Sequence, residues 1–95
     1  CEGCNAHNLL RLTRTLLGWE PRPALAAYAE GTLVNHLLAG QRDDGMVAYF
    51  LPMESGRFRT FSTPEDSFWC CVGTGLEAHA RHEEHLASAD PDTLW

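Results

Sequence analysis

From Ala24 to Ala39 the chain carries a helix-length segment that is apolar on nearly every side, with Pro23 in front of it and Gly40 behind. Proline suits a first helical position because the N–H it lacks would be unpaired there anyway, and glycine suits the residue just past a helix end. Leu25, Tyr28, Ala29, Thr32, Leu33 and His36 make one stripe of this helix, while Ala26, Val34, Leu37 and Leu38 cover much of the rest. Such a helix needs neighbours on several sides. A chain of 95 residues hardly supplies them, since a domain of that size buries only about 60–70% of the surface its unfolded form exposes. The chain opens on Cys1 rather than methionine and closes on Asp92-Thr93-Leu94-Trp95, which reads as the start of an apolar strand. The expectation is therefore a piece of a larger helical architecture.

Around this segment the sequence predicts a mainly α chain. From Cys4 to Leu17 the leucines at 9, 12 and 16 share one helix face and Arg11 and Arg14 the other, with Gly18 as the expected stop. Asp43-Asp44-Gly45 reads as a turn. Met46 to Leu51, then Pro52 to Gly56, then Arg57 to Phe61 reads as one irregular β-hairpin presenting Tyr49. A third helix is expected from about Thr74 to Leu86, which leaves Cys70 and Cys71 at a loop-to-helix entrance. Unpaired N–H groups there favour thiolate over thiol.

The net charge of −6, with seven basic residues that are all arginine, shows no basic patch and argues against nucleic acid or an anionic membrane as a partner. No apolar run is long enough to cross a bilayer, and no signal-peptide pattern is present.

Adjacent Cys70 and Cys71 cannot easily bond to each other, because a vicinal disulfide forces its own peptide out of comfortable geometry. The pair instead points to metal binding or thiolate chemistry. Glu2-Gly3-Cys4 offers two further donors just ahead of the first helix. A carboxylate with three thiolates, Glu2, Cys4, Cys70 and Cys71, would complete a tetrahedral zinc site. Cys1, Cys4, Cys70 and Cys71 form a competing set in which Cys1-Glu2-Gly3-Cys4 is an ordinary C-x-x-C knuckle, and spacing alone slightly favours it. Grouping of the cysteines at the two chain ends fits metal binding better than a disulfide framework. His79, His82 and His85 recur every third residue and so drift around a helix instead of focusing on one ion. His7, three residues after Cys4, reads as a packing histidine within reach of a metal's outer shell. Gly73-Thr74-Gly75 is too short for a phosphate loop.

Read in order, Glu2-Gly3-Cys4-Asn5, Asn8 to Arg14, Tyr28-Ala29-Glu30, Asn35 to Ala39, Gly45-Met46, Tyr49-Phe50, Ser67 to Cys71 and Gly73 to Glu77 resemble the β-L-arabinofuranosidase family, glycoside hydrolase family 127 and its relatives. The resemblance implies a fragment of an (α/α)6 barrel. Residues 1–92 would be the C-terminal portion of that catalytic barrel and residues 93–95 the start of a β-sandwich domain. It also implies Zn2+ held by Glu2, Cys4, Cys70 and Cys71, with Cys1 outside the motif, and it makes Cys70 the nucleophile and Tyr49 a sugar contact. The implied reaction is retaining release of terminal β-L-arabinofuranose from a glycan or oligosaccharide, with an acid/base glutamate upstream of Cys1 and the remainder of the parent chain as the structural partner. Glu77 and Glu30 match family positions without a catalytic part. The fragment alone is expected to be inactive. Reduced, metal-bound thiols suit a bacterial cytoplasm or a zinc-protected periplasm alike. Two rivals differ in kind: a small structural zinc module with no catalytic role, and a redox switch using Cys1-Cys4 and Cys70-Cys71.

Overall fold

A computed structural model of the protein describes residues 1–85 and residue 92. Helix α1 runs over Gly3–Trp19 and α2 over Pro23–Thr32, continuing into a π-helical segment Leu33–Leu38. Helix α3 covers Cys70–Ala80, and a single 3-10 turn follows over His82–His85. The chain is mainly α, as its sequence predicts. Three helices are compatible with part of a helical barrel and do not themselves define one. The expected β-sandwich start at 93–95 lies outside the described residues, whereas the third helix, expected to run to about Leu86, already ends at Ala80 and gives way to the 3-10 turn.

Helix α1 passes through Gly18, and the proline beyond it sets the end. Pro21 clashes with an α-conformation at the residue before it, and Glu20 is accordingly extended (φ −146°, ψ 99°) while its N–H still reaches the Leu16 carbonyl at 2.8 Å. The buried face also differs from the expected one. Ala6, His7, Leu10 and Thr13 are buried, whereas Leu9 and Leu12 are 40% and 53% exposed. The i, i+4, i+7 stripe Ala6–Leu10–Thr13 meets α2 and α3. Its small Ala6 and short Thr13 let those helices approach, and Thr13 Oγ1 donates to the Leu9 carbonyl at 2.8 Å, so burial leaves no orphan hydroxyl.

The apolar second helix is covered along one edge only. No residue of Pro23–Thr32 is buried. Leu33 and Leu37, in the π segment, join Leu10 and Ala78 in the core, with Ala29 packed against them. Tyr28, Val34 and Leu38 remain exposed. The widened turn closes with Ala39 N–H on the Val34 carbonyl at 3.3 Å and Gly40 N–H on the His36 carbonyl at 2.8 Å. A Cβ at Gly40 would sit 2.8 Å from that same carbonyl oxygen, so this end requires glycine.

The expected hairpin contracts to isolated antiparallel contacts. Asp43-Asp44-Gly45 does turn, with Gly45 at φ 87°, and it pairs Gln41 with Val47. The 46–51 and 57–61 segments touch only at Ala48 and Phe61, reinforced by Ser62 N–H on the Val47 carbonyl at 2.9 Å. The reason is competition for the 48–51 edge: Phe50 pairs with Glu2 instead.

Candidate metal centre

That competing pairing builds the site. Gly3 N–H donates to the Tyr49 carbonyl (3.0 Å), Leu51 N–H to the Cys1 carbonyl (3.1 Å) and the terminal amine of Cys1 to the Leu51 carbonyl (3.1 Å). The first residues thus lie antiparallel to Tyr49–Leu51 and bring the N-terminus of α1 against the loop tyrosine. Glu2 is extended (φ −88°, ψ 137°), and successive side chains of an extended segment point to opposite sides. Glu2 turns towards the cysteines, and Cys1 is exposed outside the group.

Helix α3 begins at Cys70 rather than Thr74, directly after extended Trp69 (φ −79°, ψ 150°). Both cysteines therefore sit in its first turn, where backbone N–H groups have no intrahelical acceptor. Successive helical residues are rotated by about 100°, and the neighbours face different surroundings: Cys71 is buried at 2% exposure while Cys70 is exposed. Gly75 lets this helix lie close on the loop, since a Cβ there would stand 3.0 Å from Val47 Cγ1.

The four donor atoms of Glu2, Cys4, Cys70 and Cys71 all lie within 4.8 Å of one another. Cys70 Sγ is 3.4 Å from Cys4 Sγ, 3.8 Å from Cys71 Sγ and 3.8 Å from Glu2 Oε1. A tetrahedron's edge is about 1.6 times its centre-to-corner distance, so zinc–sulfur bonds of about 2.3 Å would space sulfurs about 3.8 Å apart. The cluster has the donor types and close to the spacing that a tetrahedral ion demands, and the group could hold a metal ion. Among the described residues His36, His79, His82 and His85 join no such group.

Tyr49 lies beside the cluster. Its hydroxyl oxygen lies 3.8 Å from Cys70 Sγ, and its carbonyl accepts from the Cys71 thiol at 3.7 Å. The Tyr49 ring packs at 4.6 Å from Phe50 and edge-on to Trp69 at 5.7 Å. These groups shift one another's acidity. Hydrogen bonds from the Tyr49 hydroxyl and then the Cys4 thiol hold the Glu2 carboxyl below its ordinary value. Its hydrogen bond with Cys70, burial and Glu2 push the Cys4 thiol up to about 12. Burial raises Cys71. Cys70 alone of these three thiols is lowered, by hydrogen bonds from Cys4 and then Tyr49.

The sequence reading brought together Glu2, Cys4, Tyr49, Cys70 and Cys71, and all five meet here. It missed Trp69, which backs the Tyr49 ring, although its place directly before Cys70 was a signal. It read His7 as a packing histidine within reach of a metal's outer shell and gave Glu77 no catalytic part, and it did not foresee that the two meet. His7 is 3% exposed, with Nε2 3.3 Å from Glu77 Oε2, an ion-pair distance without the angles of a hydrogen bond. Glu77 is held by Arg11 and Arg81 as well. Its carboxyl lies below its ordinary value, because burial, which opposes ionisation, is outweighed by the nearby His7 and Arg11. That makes it a poor proton donor.

No helix among the described residues is long and apolar enough to cross a membrane. The family model described as β-L-arabinofuranosidase, GH127 catalytic domain, matches residues 1–84. No curated protein and no solved structure matches the chain.

Proposed function

Because this chain belongs to the β-L-arabinofuranosidase family, as a GH127 catalytic domain and hence a glycoside hydrolase acting on glycans, we propose that residues 1–84 carry the nucleophile half of a zinc-dependent retaining active site. In this reading Glu2, Cys4, Cys70 and Cys71 hold Zn2+, Cys70 is the nucleophile, and Tyr49 contacts the sugar. The observation that carries it is that Glu2, Cys4, Cys70 and Cys71 converge within 4.8 Å and that, of the three sulfurs in the group, Cys70 is the one on an exposed residue, open to an incoming substrate. A purely structural zinc module would have no use for an exposed ligand sulfur.

Zn2+ bound by these donors would keep the thiolates ionised at neutral pH and share the charge of Cys70, so that its sulfur can both attack and leave. Cys70 Sγ attacks the anomeric carbon of a terminal β-L-arabinofuranoside, the glycosidic C–O bond breaks, and the departing oxygen takes a proton from a general acid. Water, deprotonated by the same group, then displaces Cys70 from the thioglycoside with a second inversion, giving net retention. We assign the general acid to a glutamate upstream of Cys1. Glu77 is committed to its ion pairs and Glu30 is exposed on α2. Tyr49 offers a ring for the furanose face and a hydroxyl that steadies the Cys70 thiolate.

The same reading makes residues 1–92 part of an (α/α)6 barrel and 93–95 the start of a β-sandwich. Support comes from the exposed side chains of α1, α2 and the π-helical segment, Leu12, Tyr28, Val34 and Leu38 among them, which further barrel helices of the parent chain would cover. The test is hydrolysis of an aryl β-L-arabinofuranoside by the full-length protein. Cys70→Ser should abolish turnover, and mass spectrometry should place a trapped glycosyl group on Cys70. Retained turnover in Cys70→Ser would defeat the assignment.

A further inference from the structure

The His7–Glu77 contact lies outside the donor cluster but on the same helices and the same faces. His7 follows Cys4 by three positions on α1, and Glu77 follows Cys70 by seven on α3. Residues three and seven apart share a helix face, so the contact falls below the sulfurs at the α1–α3 seam. Glu77 is fixed from both sides: Oε2 faces buried His7 Nε2 at 3.3 Å, while Oε1 accepts from Arg81 Nη1 at 3.2 Å and faces Arg11 Nη1 at 3.4 Å. His7 Nδ1 has no partner among the described residues. A histidine buried at 3% exposure with so little to satisfy it is a poor choice for simple packing, since a buried polar group without a partner is unfavourable.

We propose that His7 and Glu77 are positioning residues for the metal centre: their contact sets the register of α1 against α3, and with it the separation of Cys4 from Cys70. A helix rises about 1.5 Å per residue, so sliding one helix by a single position would shift the sulfurs, now 3.4 Å apart, by a large part of a tetrahedral edge. The neighbouring pair Arg14–Glu84 ties α1 to the 3-10 turn after α3. Its members lie seven positions past His7 and past Glu77 respectively, and it cannot set the register as directly. This inference rests on the zinc reading of the cluster.

The experiment measures Zn2+ affinity by competition with a chromophoric chelator and the absorption of the Co2+-loaded protein, both in the full chain. Glu77→Gln and His7→Phe should each weaken Zn2+ binding about tenfold or more, and the double variant should lose little beyond Glu77→Gln alone, because His7→Phe removes only a contact that Glu77→Gln already weakens. Thiolate-to-cobalt bands should shift in both. Glu77→Asp should recover part of the affinity, and Arg14→Gln should leave affinity and spectrum unchanged. If His7→Phe does not fold, Glu77→Gln decides, since that side chain is partly exposed. Wild-type affinity and spectrum in Glu77→Gln would overturn the proposal, as would an equal loss in Arg14→Gln, which would mean general destabilisation. A wild-type protein that takes up no Zn2+ overturns this inference and the zinc reading together, whereas zinc-binding wild type with unaffected variants overturns this inference alone.

Discussion

Cys4 Sγ and Cys70 Sγ lie 3.4 Å apart although 66 positions separate them in the chain. Each stands in the first turn of its helix, so two helix N-termini converge on one pair of sulfurs. Cys4→Ser should therefore disturb metal uptake more than Cys1→Ser, because Cys1 stands outside the group. Zinc analysis after dialysis should find one ion per chain in Cys1→Ser and a reduced content in Cys4→Ser. Equal content in both would contradict the donor set.

Metal uptake should release protons. In the metal-free cluster the Cys4 thiol is pushed up to about 12 by its hydrogen bond with Cys70, and burial raises Cys71, so both carry their protons at neutral pH. A metal binds thiolates and must displace those protons. Affinity should accordingly fall as pH falls, and adding Zn2+ to weakly buffered apoprotein near pH ~7 should acidify it. No acidification would mean that the thiols are not ligands.

Tyr49→Phe removes a hydroxyl that helps lower Cys70. A group whose ionised form loses a donor becomes a weaker acid. The midpoint of the pH profile for alkylation of Cys70 by iodoacetamide in the metal-free protein should move to higher pH. An unmoved midpoint would show that the Tyr49 hydroxyl plays no part in the thiol's acidity.

Leu10 is fully buried between α1 and the segments carrying Leu33, Leu37 and Ala78. Leu10→Ala should destabilise the fold by about 2–5 kcal/mol, whereas Leu12→Ala, at a 53% exposed position, should cost far less in this chain. Denaturant midpoints of the two variants provide the comparison, and a larger loss for Leu12→Ala would restore the face expected from the leucine pattern.

Gly75→Ala would place a methyl group 3.0 Å from Val47 Cγ1. It should lower stability and, by pushing α3 off the loop, weaken metal binding. Adding Val47→Ala should recover both, since it removes the atom in the way. Failure of that second change to rescue would locate the effect elsewhere.

The amino-acid sequence alone determined that the chain is mainly α, that a turn lies at Asp43–Gly45, and that Cys4, Cys70 and Cys71 belong to one group that could hold a metal ion. Proline, glycine and cysteine act through local geometry and intrinsic chemistry, so their meaning survives without a fold. Which face of α1 is buried was not legible, because Leu9, Leu12 and Leu16 repeat as regularly as Ala6, Leu10 and Thr13, and only the small residues of the second stripe let α2 and α3 come close. The hairpin failed for a related reason: strand propensity does not say which partner takes an edge, and Cys1–Gly3 took the one beside Tyr49. That same long-range pairing chose Glu2 over Cys1. Spacing left the two as competing candidates, whereas an extended segment can aim only alternate side chains at one point, and pairing with Tyr49–Leu51 brings Glu2 into the donor group.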